Sequence, residues 1–456
     1  MFRAFMIAGT HSGAGKTTIS LGLMGYLSKK YKVAPFKIGP DYIDSTYHRY
    51  VTGNYSGNLD LYMLGEKNLK SLFAHDSKEA DISIIEGVMG LYDGMGTTSK
   101  GSSADVAKIL KIPVILVVDG SSIAASISAI VLGYMKYDRD VNIIGVILNK
   151  IRTQGHFELL RECIERDLGI KVFGYLPRDI VLDLPSRHLG LVPTYEMTGL
   201  QEKFERLYQY IEEYIDIDMI LKEVGQRDMD LPDRTRYLSP CPAKIAYACD
   251  EAFNFYYMDG LKLFEEYGAE LIPFSPIHDK NLPEGISGIY IGGGFPEMFA
   301  EELSQNIDMM DSIKNAIDDG MPVYAECGGL MYLTNSIKDL DGNVFPMVGI
   351  YDADIMMTKG LKHFGYVEAE VIMDNVLFNK GSIVRGHEFH HSELKGKLRN
   401  VSYVVHKPDK NDKWSCGYVY KNCLATYVHI NLYAYPDAVK GFVNKCFEFE
   451  ARGKLK

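Results

Sequence analysis

Residues 5–18, "FMIAGTHSGAGKTT", decide the fold. An apolar run ends at Gly9, a loop of small residues follows, and Lys16 opens a segment that carries Ile19, Leu23, Tyr26 and Leu27 on one helical face. Strand, glycine loop and helix in that order make a phosphate cradle. Gly13 and Gly15 permit a tight turn that aims backbone N–H groups at phosphate oxygens, and the helix N-terminus adds its positive dipole end. Lys16 is placed to reach the terminal phosphates of ATP, Thr17 to offer its hydroxyl to Mg²⁺, and Thr18 to complete the first turn. Five residues separate Gly9 from Gly15, one more than the usual G-x-x-x-x-G-K-[ST] spacing, while the Gly-Lys-Thr core is intact.

Working outward, "VAPFKIG", "ADISIIEG", "PVILVVDG" and "VNIIGVILNK" are short runs rich in Val and Ile that end mostly at Gly, Asp or Asn. Such runs read as buried parallel strands. Ligands of open parallel sheets collect at the carboxyl ends of the strands. There Glu86 is expected to serve Mg²⁺ or substrate, and Asn149 to read a base edge. "KIGPDYIDSTYH" supplies Lys37, Asp41, Tyr42, Asp44 and His48 after another strand. Beyond residue 190 the pattern becomes helical, then polar and proline-bearing, and strand signals restart at "AKIAYACD", "LIPFSP", "GIYIGGG", "PVYAECGG" and "SYVVH". The expected fold is α/β with two domains, each a mostly parallel sheet flanked by helices: a P-loop domain at 1–227, a linker at 228–242 and a second domain at 243–456. No repeat at a fixed period is present.

The second domain carries its own chemistry. "PVYAECGGLMYL" reads as a strand, then Cys327, Gly328 and Gly329, then a helix start, the small neighbours letting the chain turn sharply beneath an exposed nucleophile. A helix N-terminus favours thiolate. His429 in "ATYVHINL" ends another strand-like run and is the candidate base. Gly292, Gly293 and Gly294 in "IYIGGGFPE" offer N–H groups for an oxyanion hole.

Bulk properties narrow the class. With 456 residues, 46% of them hydrophobic, the chain can fill the cores of two or three domains. A formal net charge of −11 argues against nucleic acid as the main partner. Cysteines at 163, 241, 249, 327, 416, 423 and 446 form no C-x-x-C pair, and no signal peptide precedes the first strand, so a reduced, cytoplasmic protein is expected. No stretch of 18 uninterrupted apolar residues is present, and no membrane association is expected.

Taken together, "GTHSGAGKTT", "KIGPDYIDSTYH", "EGVMGLYDG", "GGGFPE", "AECGG", "GHEFHHS" and "YVHI" resemble the cobyrinic acid a,c-diamide synthase family over nearly the whole chain. The resemblance implies a first domain similar to dethiobiotin synthetase and a second, flavodoxin-like domain similar to class I glutamine amidotransferases of the branch without a full triad. It implies a thioester on Cys327 with His429 as base, glutamine contacts from Gly293, Gly294 and Gly328, an acyl phosphate made with ATP and Mg²⁺, and a tetrapyrrole polycarboxylate as substrate. Asp41, Tyr42, Ile43, Glu86 and Asp93 match the family's substrate-binding or activating segments, with Lys37 beside them. Where many glutaminases have Glu two residues after the histidine this chain has Asn431, so His429 is expected to lack the usual carboxylate partner. Ala325 stands where many elbows have glycine.

Other readings stay open at this point. Hydrogenobyrinic acid or nickel sirohydrochlorin would present similar neighbouring acetates, and the larger cousin that amidates four other carboxylates fits the motifs less well. A regulatory P-loop ATPase of the partition type would carry a lysine where His11 stands. "HEFHH", residues 387–391, matches the zinc-peptidase pattern H-E-x-x-H, although its flanks do not read as an amphipathic helix. A homodimer stays open.

Overall fold

Apolar runs without alternation become strands covered on both faces, and the first unit is built on seven of them. In this computed structural model residues 2–178, 186–187, 190–191, 199–226, 242–408 and 410–453 are described. The chain divides into two compact units, Met1–Asp233 and Arg234–Lys456. The expected linker at 228–242 lies outside the described residues, apart from Pro242.

In the first unit β1 (Arg3–Gly9), β2 (Val33–Ile38), β3 (Gly57–Leu59), β4 (Ile82–Glu86), β5 (Val114–Asp119), β6 (Ile143–Ile151) and β7 (Lys171–Pro177) form one sheet in the order β3-β2-β4-β1-β5-β6-β7. Every pairing is parallel. The strand order reverses direction around β1, so a crevice opens above its carboxyl end. Helix α1 (Lys16–Ser28) follows that end directly. Ile19, Leu21, Leu23 and Met24 on it are fully buried. It is covered on its far side too: a Cβ on Gly25 would lie 2.2 Å from the Tyr208 ring. Burial on both sides explains why α1 is apolar nearly all round rather than striped. Helix α2 (Ile43–Thr52) follows β2, and β8 (Ser186–Arg187) pairs with β9 (Gly190–Leu191).

The second unit is mixed. Its strands are β10 (Ala243–Ala248), β11 (Phe253–Phe255), β12 (Ala269–Phe274), β13 (Gly288–Ile291), β14 (Gly293–Gly294), β15 (Val323–Glu326), β16 (Thr334–Lys338), β17 (Val344–Pro346), β18 (Tyr351–Val371), β19 (Ile383–Gly396), β20 (Val401–His406), β21 (Lys413–Tyr420) and β22 (Cys423–Thr426). The main sheet runs β12-β10-β13-β15-β22-β21-β20-β18-β16-β17, with β19 on β18. From β12 to β22 it is parallel, as the sequence reading expects; from β22 through β21 and β20 to β18 and β19 it is antiparallel. Of that extension only β20, at "SYVVH", was foreseen as a strand. β18 alternates buried and exposed residues along "YDADI", so no continuous apolar run marks its start. Among the described residues no helix is long and apolar enough to cross a membrane.

Candidate functional site

The phosphate loop closes on itself. Gly15 caps α1 at φ 101°, and a Cβ there would lie 1.8 Å from the Asn149 side chain, so only glycine fits. Lys16 is buried and its Nζ donates to the His11 carbonyl at 3.1 Å, folded across the loop. Burial, then the charge of Lys37, holds its amine below the usual lysine range, against the pull of Glu86, Asp44 and Asp93. Those five charges therefore share one neighbourhood.

Glu86, at the end of β4 and fully buried, is the hub. It accepts from Thr17 Oγ1 at 2.5 Å and Lys37 Nζ at 2.8 Å through Oε1, and its Oε2 lies 2.8 Å from His48 Nε2. His48 is anchored from behind by Ser56 Oγ at 2.9 Å. Burial alone would raise the Glu86 carboxyl, but Lys37 and the His48 hydrogen bond outweigh it and hold it well below the usual range. Lys37 also donates to Asp44 Oδ2 at 2.5 Å. Burial, then Asp41, pushes Asp44 up to about 8 despite Lys37. The ionised Lys37–Glu86 pair is thus the fixed part of the network, and Asp44 is its softer member.

The other expected residues fall around this hub. Asp41 Oδ1 accepts from the Ile43 and Asp44 backbone N–H groups at 3.0 and 2.9 Å, so it fixes the start of α2 beside Tyr42. Asp93 Oδ2 accepts from Gly90 N–H at 2.7 Å and closes the "EGVMGLYDG" loop, which is tied to β1 by Leu91 N–H on the Gly9 carbonyl. Asn149, expected to read a base edge, donates its Nδ2 to the Ala14 carbonyl at 2.9 Å and braces the loop. Thr18 lies half-buried on the first turn of α1.

In the second unit Cys327 sits between β15 and the short helix Gly328–Leu333 at φ 46°, ψ −98°. A left-handed non-glycine residue costs about 1–3 kcal/mol and persists only when its surroundings force it. Here Cys327 N–H donates to the Thr426 carbonyl at 2.7 Å, and a Cβ on Gly329 would lie 2.3 Å from the Ile291 carbonyl. The glycine loop lies against Gly328 and the His429 ring: a Cβ on Gly328 would meet Gly294 N at 3.1 Å, and one on Gly293 would meet His429 Cε1 at 2.5 Å. β15 and β22 are adjacent and parallel, with Glu326 opposite Thr426, so Cys327 and His429 leave the same end of the sheet.

His429 lacks the usual carboxylate two residues on, but a different carboxylate lies beside it. Glu326 Oε2 lies 3.5 Å from His429 Nδ1, an ion-pair separation, with both side chains almost fully buried. Oε1 of the same carboxylate accepts from the Tyr324 hydroxyl and, at 3.2 Å, from Ile430 N–H. Asn431 instead accepts from Tyr433 N–H and caps the turn after His429. The carboxylate comes from the residue before Cys327 rather than from two positions after the histidine. The H-E-x-x-H match fails for a plain reason: it lies on β19, where His387 and His391 are roughly 13 Å apart rather than one helical turn. No cluster of three or more potential metal ligands exists among the described residues.

Two family models match the chain, a CobQ/CobB/MinD/ParA nucleotide-binding domain over residues 5–192 and a CobB/CobQ-like glutamine amidotransferase domain over residues 244–436. A protein of Caldanaerobacter subterraneus named cobyrinate a,c-diamide synthase is 60% identical, over 98% of this chain and 99% of its own length. Proteins of the same name from Listeria innocua and Streptococcus sanguinis are 45% and 43% identical, each over 94% of this chain and 96% of its own length. The chain belongs to the cobyrinate a,c-diamide synthase family. It is an enzyme of the carbon–nitrogen ligase class with a nucleotide-binding domain and a glutamine amidotransferase domain.

Against that family background, three residues that sequence reasoning left without a role stand out. His48 was noticed but not assigned, and it holds Glu86. Lys150, at φ 59°, donates to the Gly13 carbonyl at 3.1 Å and to Asp119 Oδ2 at 2.7 Å, a second brace on the phosphate loop. Glu326 is the third. As a positioning residue it predicts that Glu326→Gln lowers kcat for glutamine hydrolysis about 10- to 100-fold with a smaller change in KM, because the amide keeps the acceptor for Ile430 but not the charge facing His429. An unchanged kcat would remove Glu326 from that role.

Proposed function

We propose that this ligase converts the a and c acetate carboxylates of cobyrinate to amides with ATP and glutamine. The observation that carries the reading is identity over the full chain to relatives of that printed name. The geometry supplies the parts. In the second unit Sγ of Cys327 attacks the γ-amide carbon of glutamine while His429 takes the thiol proton and hands one to the departing nitrogen. The products are ammonia and a thioester that water hydrolyses to glutamate. Backbone N–H groups at Gly293, Gly294 and Gly328 are the donors for the oxyanion.

In the first unit a substrate carboxylate oxygen attacks the γ-phosphorus of ATP, and ADP leaves. Ammonia then attacks the acyl carbon, and phosphate leaves with the electron pair of the broken C–O bond. Lys16, unfolded from the His11 carbonyl, would meet the terminal phosphates. Thr17 and Glu86 offer hard oxygen donors suited to Mg²⁺, an ion that takes few protein ligands beside waters and phosphates, and it would neutralise charge on the triphosphate. Lys37 and the α2 start at Asp41, Tyr42 and Ile43 face the substrate side. A reducing compartment suits the nucleophile, and the described cysteines are all free thiols.

The test is mass spectrometry of cobyrinate, hydrogenobyrinate and nickel sirohydrochlorin after incubation with ATP, Mg²⁺ and glutamine. The expected result is a double acid-to-amide exchange on cobyrinate. Preferential conversion of either other acid would transfer the reading to that substrate, and amide formation without ATP would overturn it.

A further inference from the structure

The segment that fails as a zinc pattern still sets one of its histidines against His429. His387 on β19 and His429 just after β22 form an isolated antiparallel bridge. Each donates its backbone N–H to the carbonyl of the other, at 3.1 and 2.9 Å. Residues paired in this way send their side chains to the same face of the ladder. The two imidazole rings stack accordingly, with centroids 4.9 Å apart and planes inclined by 15°. Gly386 permits so close an approach: a Cβ there would lie 2.3 Å from the His429 carbonyl oxygen and 2.6 Å from Val428 Cγ1.

His387 is itself buried and fixed. Its Nε2 is 2.8 Å from the hydroxyl of Tyr257, which stands just before the helix Met258–Glu266. Burial first, then a charge on His429, then Lys407, hold the His387 ring well below the usual histidine range, so it stays neutral. His429 meets different neighbours at its edge. Glu326 Oε2 is 3.5 Å from its Nδ1, and the Gly293 backbone lies beside its Cε1. An uncharged ring thus covers one face of His429 while a carboxylate addresses a nitrogen in its plane. Turning His429 about its Cβ–Cγ bond would swing the ring edge into His387 and give up the aromatic contact.

We propose that His387 is a positioning residue for His429, fixing the plane of that ring by stacking an uncharged imidazole on it. The inference rests on His429 being the base for Cys327. A general base must keep its lone pair within hydrogen-bond reach of the proton it takes, and a tilted ring spends less time there. Stacking supplies the restraint without adding charge. A lysine or arginine in the same place would oppose the positive charge that His429 acquires on taking the thiol proton; a neutral ring does not, and Glu326 meets that charge at the ring edge. His387 acts through His429 rather than on glutamine, so its contribution belongs to kcat and not to substrate binding.

The experiment measures glutamine hydrolysis by two full-length variants. His387→Gln keeps a polar group for Tyr257 and removes the ring; His387→Phe/Tyr257→Phe keeps a flat ring and leaves no hydroxyl facing it. The first is expected to lose about 10- to 100-fold in kcat with KM for glutamine within about threefold of native, and the second to keep kcat within about fivefold. Equal losses in the two variants, or a native kcat in His387→Gln, overturn the stacking role. A second measurement separates positioning from folding: the rate at which iodoacetamide alkylates Cys327, read by mass spectrometry of the peptide that carries it. Sulfur displaces iodide and the thiol proton passes to His429, so a misplaced base should slow this reaction in His387→Gln by about tenfold or more. Alkylation at the native rate or faster would show a thiol laid open by a loosened fold and overturns the proposal. This reading needs only His387→Gln and serves if the phenylalanine variant does not fold. Failure of the native enzyme to hydrolyse glutamine at Cys327 overturns the underlying reading of His429 as well.

Discussion

Lys16→Ala is expected to remove amide formation with glutamine and with added ammonia alike, by about a hundredfold or more in each case. On the proposed reading both nitrogen sources need an activated acid, and activation is where this side chain would act. Its Nζ is parked on the His11 carbonyl inside a loop whose backbone geometry is set by Gly13, Gly15 and the Asn149 brace. Moving from a neutral carbonyl to a triphosphate replaces one weak acceptor with several charged ones. Lys37 is no substitute, because its ammonium already serves Asp44 and Glu86 in a buried network. Lys150 is tied to Asp119 and the outer side of the loop. The measurement is amide product and ADP release at saturating ATP with each nitrogen donor. Native-like product formation from ammonia in this variant would remove Lys16 from phosphoryl transfer.

The parts of both sites that could be read from sequence are those made by consecutive residues. A phosphate loop is a strand, a few glycines and a helix in unbroken order, and an elbow is a strand, a nucleophile and two glycines. Backbone sterics force those residue types at that spacing, so the chain carries the signature locally. What escaped was made by register between distant strands. Glu326 adjoins Cys327 in sequence, but its approach to His429 depends on β15 pairing with β22 so that Glu326 faces Thr426. His48 reaches Glu86 only because β2 lies against β4, with Lys37 opposite Glu86, and α2 returns over that pair.

Asn149 shows a different limit. A side-chain amide at a strand end suits a base edge or a backbone carbonyl equally, and only the folded loop shows which is near. Apart from β20, the antiparallel half of the second sheet was hidden by its own alternation. Polar residues interrupt β18 and β19 at short intervals, and several of them, Glu388 and His390 among them, are buried. Hydropathy alone places such residues outside.

Cys327→Ser separates the two half-reactions most sharply. Glutamine-dependent amidation should fall by about a thousandfold or more, while synthesis from ammonia stays within a few-fold of native. Serine is nearly isosteric, so the left-handed turn at φ 46° and its bond to the Thr426 carbonyl should persist. What changes is the chemistry. The buried thiol is held protonated by burial and by neighbouring carboxylates, yet His429 still has a far smaller task with it than with an alkoxide precursor. An oxygen ester is also less readily hydrolysed than a thioester. Free ammonia needs none of this, and because it is the unprotonated form that attacks, the ammonia-driven rate should climb as pH rises toward the ammonium pKa. The glutamine-driven rate of the native enzyme should lack that dependence, since its ammonia is released already unprotonated. Equal loss of both activities in Cys327→Ser would mean that the thiol supports the fold of the second unit rather than its chemistry, and retention of both would place the nucleophile elsewhere.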